Sequence, residues 1–322
     1  MIIKHSDKIA SPNIIKDSFQ KLGYICSDDI ATSIYLACQL QKPILIEGPP
    51  GVGKTELAKK TAQYLSAELI RMQCYEGLDE AKALYEWKYG KQLLYTQLLK
   101  DQLGDVLSGA KGLDESVSRL HQFGDIFYSE EFLEPRPLLQ ALRNEDGAVL
   151  LIDEIDKADQ EFEAFLLELL SDYQVSIPEI GTVKAITKPI VILTSNNTRE
   201  LGDALKRRCL HLYIPFPDPK LEQEIIAVQV PDINNDLRNQ LVSFVNELRA
   251  LSLKKVPAVS ETIDWARALL LLNVHSLDHD WIKNTLNLLL KFQDDIEVVE
   301  SEIYPLLKKI QQKTPKQKPG QA

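Results

Sequence analysis

The sequence predicts an α/β protein: a parallel sheet covered by helices on both faces, followed by an all-helical C-terminal region. Three observations predict it. A GPPGVGKT loop at 48–55 joins a short apolar run to a segment with helical spacing. Four more apolar runs follow, separated by helical segments, and that alternation implies a sheet buried on both sides. After Pro215-Phe216-Pro217 the apolar residues recur at helical spacing only.

The elements follow in order. Residues 1–42 read as a helical lead-in, clearest in IATSIYLACQL (30–40). PILIE (43–47) is apolar and ends in a turn, which predicts a buried strand. TELAKKTAQYL (55–65) has helical spacing through Leu57, Ala58, Ala62 and Leu65. ELIRMQC (68–74) predicts a second strand, and residues 76–145 read as mostly helical, polar and less regular. GAVLLIDE (147–154) predicts a third strand. DQEFEAFLLELLSD (159–172) predicts a helix with Phe162, Phe165, Leu166 and Leu169 on one side. In QVSIPEIGTVKAI (174–186) two β-prone runs meet around Pro178 and Gly181, which predicts a projecting hairpin. PIVILTSN (189–196) and LHLYIPF (210–216) predict the fourth and fifth strands. Segments 235–252, 260–274, 279–293 and 296–311 predict a small helical bundle. The expected domains are therefore 1–217 and 218–312. The polar tail KTPKQKPGQA (313–322) is expected to be disordered.

Composition narrows the function classes. The chain has 322 residues, 44% hydrophobic and 26% charged, which is ordinary for a soluble globular protein long enough for two cores. Its net charge of −10 argues against a non-specific grip on nucleic acid, because that grip needs Lys and Arg to neutralise phosphates. No apolar run has the length of a membrane span, and MIIKHSDKIASPN lacks a signal-peptide core. A cytoplasmic location is the expectation. Cys26, Cys38, Cys74 and Cys209 show no C-x-x-C pairing and read as reduced, mostly buried thiols.

The chemistry starts at the loop, which fits G-x-x-x-x-G-K-[ST]. Gly48, Gly51 and Gly53 let the backbone turn its N–H groups toward phosphate oxygens. Pro49, Pro50 and Val52 complete the loop. Lys54 supplies a point charge for the outer phosphates and Thr55 a hydroxyl for Mg²⁺, and Glu56 is counted with the loop among the nucleotide-binding residues. A helix N-terminus at this place favours bound phosphate. Asp153 and Glu154 close the third strand. An acid at a strand tip can hold the water shell of Mg²⁺, and a second one beside it can orient or deprotonate an attacking water. Asn196, after the fourth strand, can sense a terminal phosphate, with Asn197 adjacent as an alternative. Lys206-Arg207-Arg208 precedes the fifth strand. Arg208, with Arg207 as its alternative, is the candidate for insertion into a neighbouring site.

In that order these features resemble the AAA+ ATPases, and within them the MoxR family, in the branch associated with von Willebrand factor A domain proteins. The stretches that carry the resemblance are EGPPGVGKTELAK (47–59), QCYEGLDEAKALYEW (73–87), LLIDEIDKADQEFEAFLLELLSD (150–172) and LTSNNTRELGDALKRRCLHLYIPFPDP (193–219). The resemblance implies a five-stranded sheet of order 5-1-4-3-2, a helical lid, and ATP with Mg²⁺ bound between subunits of a homohexameric ring. It implies a hairpin before the sensor strand. It places Lys54, Thr55, Asp153, Glu154 and Asn196 on catalytic positions and Arg208 on the inter-subunit finger. The implied activity is ATP hydrolysis that remodels or matures a client protein, with a von Willebrand factor A domain partner. A nucleic-acid motor or loader and an ATP-gated scaffold with little turnover are the alternatives. The sequence departs from the family at the lid: VSETIDWAR (259–267) has Glu261 or Thr262 where a sensor arginine is expected, and Arg267 lies further along.

Overall fold

A computed structural model describes residues 11–97, 129–178 and 180–313. The elements, in chain order, are α1 (Pro12–Lys21), α2 (Asp28–Leu40), β1 (Ile44–Glu47), α3 (Lys54–Leu65), β2 (Glu68–Gln73), α4 (Glu80–Leu84), β3 (Tyr85–Trp87), β4 (Leu133–Pro135), α5 (Pro137–Arg143), β5 (Ala148–Asp153), α6 (Gln160–Asp172), β6 (Gln174–Ile177), β7 (Gly181–Lys184), β8 (Ile190–Ser195), α7 (Asp203–Arg208), β9 (Leu210–Tyr213), α8 (Pro219–Gln229), α9 (Asn235–Arg249), α10 (Val259–Leu271), α11 (His279–Leu289) and α12 (Gln293–Lys313). The main sheet has the order β2-β5-β8-β1-β9. Counting those five strands in chain order gives 5-1-4-3-2, as the resemblance implies. β5 pairs parallel to β2 on one side and to β8 on the other. All six of its residues are buried. An apolar run without alternation is what a strand covered on both faces requires.

Two compact units divide the chain. The first takes in Thr32–Leu45 and Thr61–His211; the second takes in Pro12–Ala31, Ile46–Lys60 and the residues from Leu212 on. Ile70, Leu150, Ile152 and Leu193 from the strands pack with Leu138, Leu142, Phe162 and Leu166 from α5 and α6 in the core of the first unit. Side-chain oxygens set where its helices start: Asp159 accepts from the Phe162 N–H (2.8 Å) ahead of α6.

The stretch 76–145 corrects the mostly helical expectation. Between its helices α4 and α5, β3 and β4 form an antiparallel pair, with Trp87 opposite Leu133. Both strands are three residues long, so neither offers enough alternation to be seen against the helical background. Residues 98–128 of that stretch, and 314–322 of the predicted tail, lie outside the described residues. The hairpin at 174–186 is present as β6 and β7, paired antiparallel. It does not project as a whole. Val175 and Ile177 of β6 are buried in the first unit's core, and β7 carries the exposed side. α7 and α8 are further helices beyond those predicted.

In the second unit, Phe244, Trp265, Leu286 and Ile303 from α9 to α12 meet in one core. Trp265 is fully buried, and its indole N–H donates to the Thr285 hydroxyl at 2.8 Å. Glu222 of α8 is also fully buried. It accepts a forked pair of bonds from Arg249 of α9, at 2.7 and 2.8 Å. The guanidinium also donates to the Pro257 carbonyl and stacks over Phe216. Removing one partner of such a pair leaves a buried charge unmet. Arg249→Leu should cost about 3–5 kcal/mol in chemical denaturation. The double variant with Glu222→Leu should recover most of that loss, and no recovery would mean that the pair is not what holds α8 to α9.

Candidate active site

The loop after β1 is shaped by close approaches that only glycine allows. Gly48 has φ of +152°, and a Cβ there would come within 2.2 Å of the Ile214 carbonyl oxygen. Gly51 has φ of +72°, and a Cβ would meet Ala258 at 2.5 Å and the Ser260 hydroxyl at 2.6 Å. Its carbonyl accepts the Ser260 N–H at 3.2 Å. The start of α10 therefore lies on the loop, a neighbour that the sequence reading missed. Lys54 is 6% exposed, and its ammonium donates to the Gly48 and Pro49 carbonyls, each at 2.7 Å. Thr55, in the first turn of α3, is half-buried. Glu56 faces along its own helix, paired with Lys59 at 3.2 Å and Lys60 at 3.3 Å.

The acidic strand end lies in the first unit. Asp153 is 3% exposed. Its Oδ1 accepts from the Thr194 hydroxyl at 2.5 Å, and its Oδ2 accepts from Arg71 Nε and Nη2 at 3.1 and 2.6 Å. Glu154 turns the chain out of β5 with a left-handed backbone, φ +55° and ψ +51°. A non-glycine residue held there costs on the order of 1–3 kcal/mol. The Glu154 N–H is fixed by the Thr194 hydroxyl at 3.0 Å. Its carboxylate accepts from Gln73 at 3.0 Å and from the Asn196 amide at 3.3 Å. Asn197 is occupied otherwise: its N–H and side chain close a turn with Ser195. Of the two asparagines, Asn196 is the one brought to Glu154.

Asp156, two residues beyond Glu154, was not singled out in the sequence. It is 3% exposed and binds the backbone after β8. It accepts from the Asn196 N–H (3.2 Å), the Thr198 N–H (2.9 Å) and the Thr198 hydroxyl (2.6 Å). Burial pushes its carboxyl up, but the Thr198 and Asn196 bonds outweigh that and hold it below the ordinary 3.8. Arg71 and Gln73 were missed too. Their signal is two polar residues at i and i+2 near the end of an apolar strand, with Gln73 in register with Asp153.

Arg208 lies against its own chain, with Nε donating to Ser171 Oγ and Nη1 to the Ala204 carbonyl at 3.0 Å. Arg207 is exposed and makes no hydrogen bond or ion pair among the described residues. At the start of α10, Glu261 accepts from the Ala258 N–H at 2.6 Å and pairs with Lys255 at 3.1 Å, so it caps the helix. Arg267 is exposed and pairs with Asp264 at 3.5 Å.

Burial pushes the thiols of Cys38, Cys74 and Cys209 up to about 12 and that of Cys26 up to about 11. All four cysteines are unpaired. Among the described residues no helix is long and apolar enough to cross a membrane, and no His, Cys, Asp or Glu cluster could hold a metal by itself.

The loop fits a nucleotide phosphate, with glycines that a Cβ would obstruct, a buried lysine and a hydroxyl. In the first unit, the buried Asp153 carboxylate is the kind of oxygen donor that a hard divalent cation takes. Fold and loop define a P-loop α/β nucleotide-binding protein. The chain belongs to the AAA domain family, in its dynein-related subfamily, whose model matches residues 43–209, more than half of the chain. It is 28% identical over 238 residues to uncharacterized proteins of Staphylococcus aureus strains bovine RF122 / ET3-1 and NCTC 8325 / PS 47, covering 72% of this chain and 76% of theirs. Among solved structures it is similar to the Thermotoga maritima RuvB Holliday junction branch migration motor. That match has a TM-score of 0.47 and 16% identity, and covers 85% of this chain and 72% of the other. A proline-to-glycine mutant of that protein matches with a TM-score of 0.46 and 16% identity, over 92% of this chain and 75% of the other.

The Asp156 bonds have a pH signature. Its folded carboxyl titrates below the unfolded value, so its contribution is complete above about pH 4 and is lost as pH falls through the folded value. Asp156→Asn should be less stable than wild type at neutral pH by about 1–3 kcal/mol. In urea titrations that gap should narrow toward about pH 3. A gap independent of pH would show that the carboxylate charge is not what the loop uses.

Proposed function

We propose that the protein is a Mg²⁺-dependent ATPase of the MoxR kind, acting as a ring to remodel or mature a partner protein. One observation carries the hydrolytic part: Glu154 sits beside the buried Asp153 in a strained turn, with its carboxylate held by Gln73 and Asn196. A carboxylate so oriented is suited to order an attacking water and take its proton. In this reading the loop glycines and Lys54 bind the phosphates, and Asn196 couples Glu154 to the terminal phosphate. Thr55 and Asp153 would hold Mg²⁺, which when bound neutralises charge developing on the phosphate oxygens. The division into a nucleotide-binding domain up to 217 and a helical lid after it belongs to the same reading.

The ring and the client rest on the MoxR resemblance, as does the von Willebrand factor A domain partner. The net charge of −10 favours a protein client over nucleic acid. The finger falls to the Arg207–Arg208 pair. Arg208 is the family position, while Arg207 has the unengaged guanidinium among the described residues.

Glu154→Gln should bind ATP within about threefold of wild type and lose turnover by about 10² or more. Unchanged turnover would remove Glu154 from the reaction. In a shared site, turnover per subunit should rise with protein concentration. Arg208→Ala should lower turnover by about 10³ without loss of ATP binding, and should poison mixed assemblies. Simple dilution of activity in the mixtures would argue against the finger, and the same loss in Arg207→Ala alone would move it by one residue.

A further inference from the structure

Arg71 holds the carboxylate of Asp153 in an ion pair. It lies on β2, not on the strands that carry the acids or Asn196. Two of its N–H groups converge on Oδ2 of Asp153, while Nη2 also donates to Gln73 Oε1 at 2.9 Å. Gln73 in turn donates to Glu154. The side chain of Arg71 is half exposed, whereas that of Asp153 is 4% exposed. The guanidinium therefore caps the carboxylate from the solvent side. A carboxylate that holds the water shell of a divalent cation does so with its negative charge and its lone pairs. Arg71 draws on both: it neutralises the charge and takes two hydrogen-bonding directions of one oxygen.

From this geometry we infer that Arg71 is a positioning residue that competes with the divalent cation for Asp153 and sets how much cation the protein needs. The inference rests on the ATPase reading, because only there does Asp153 meet a cation. Arg71 is not assigned contact with the reacting atoms. It acts through Asp153, and through Gln73 on Glu154. A purely structural role would show as lost stability with unchanged cation affinity.

The test uses the full chain with a slowly hydrolysed ATP analogue and Mn²⁺ as the cation, free Mn²⁺ being read by electron paramagnetic resonance. Arg71→Gln keeps hydrogen-bond donors and removes the charge. Arg71→Lys keeps the charge and loses the fork. Arg71→Gln should bind Mn²⁺ about tenfold more tightly, with metal-free nucleotide affinity and melting temperature near wild type. Arg71→Lys should lie closer to wild type. An Arg71→Gln protein with unchanged or weaker Mn²⁺ affinity would overturn the inference. Metal-free nucleotide binding by the wild type separates the two failures. If the wild type binds the analogue and the variant shows no gain, the competition alone falls. If the wild type binds no nucleotide, the ATPase reading falls and takes the inference with it.

Discussion

A buried carboxylate has to be met by donors, and the architecture around Asp153 follows from that constraint. β5 is apolar up to its last residue, and that residue, Asp153, is an acid at the edge of a dry core. A charge in that place is tolerated only when paired and hydrogen-bonded. Thr194 from β8 and Arg71 from β2 meet it, one from each neighbouring strand. The parallel register makes this possible. It sets Gln73 opposite Asp153 and Leu193 opposite Ile152, so the ends of three strands arrive together.

The same donors propagate outward. The Thr194 hydroxyl serves two residues, giving its proton to Asp153 and accepting the Glu154 N–H. That second bond helps hold Glu154 in the left-handed region, where an ordinary side chain does not rest without support. Once the turn is fixed, the Glu154 carboxylate lies between Gln73 and Asn196. Asp156, two residues later, clamps the backbone that carries Asn196 and Thr198. Positions 153, 154, 156 and 196 are thus one hydrogen-bonded system. Hydrogen-bonded groups of this kind respond together, so substitutions among them should not be additive.

The sequence made the centre of the sheet legible because buried strands are continuous apolar runs, as β1, β5 and β8 are, while β2 and β9 at its edges carry more polar and exposed residues. PILIE and GAVLLIDE needed no periodicity argument. The phosphate loop, Asp153, Glu154 and Asn196 were legible for another reason: each is a particular residue type at a strand end. What escaped detection was short or lateral. β3 and β4 are three residues each and gain their stability from pairing across a long separation in sequence. Arg71, Gln73 and Asp156 act sideways, on residues of other strands and loops, and sideways contacts leave no mark on local spacing. The hairpin was found, but its burial was not. Val175 and Ile177 alternate with polar residues, and that pattern shows a buried face without showing how deep it sits.

The carboxylate at position 261 has a physical account. Glu261 stands at the third position of α10, where a carboxylate can reach back to the chain before the helix. It does so, binding the Ala258 N–H, and Lys255 pairs with it from outside the helix. That bond holds the segment Ala258–Ser260 in place, and the same segment lies on Gly51. An arginine at 261 would lose the cap and leave Lys255 facing a like charge. Arg267 is exposed, and its guanidinium pairs with Asp264 one turn earlier. α10 is therefore tied to the glycine loop by backbone and small side chains at its first turn, through contact at Gly51.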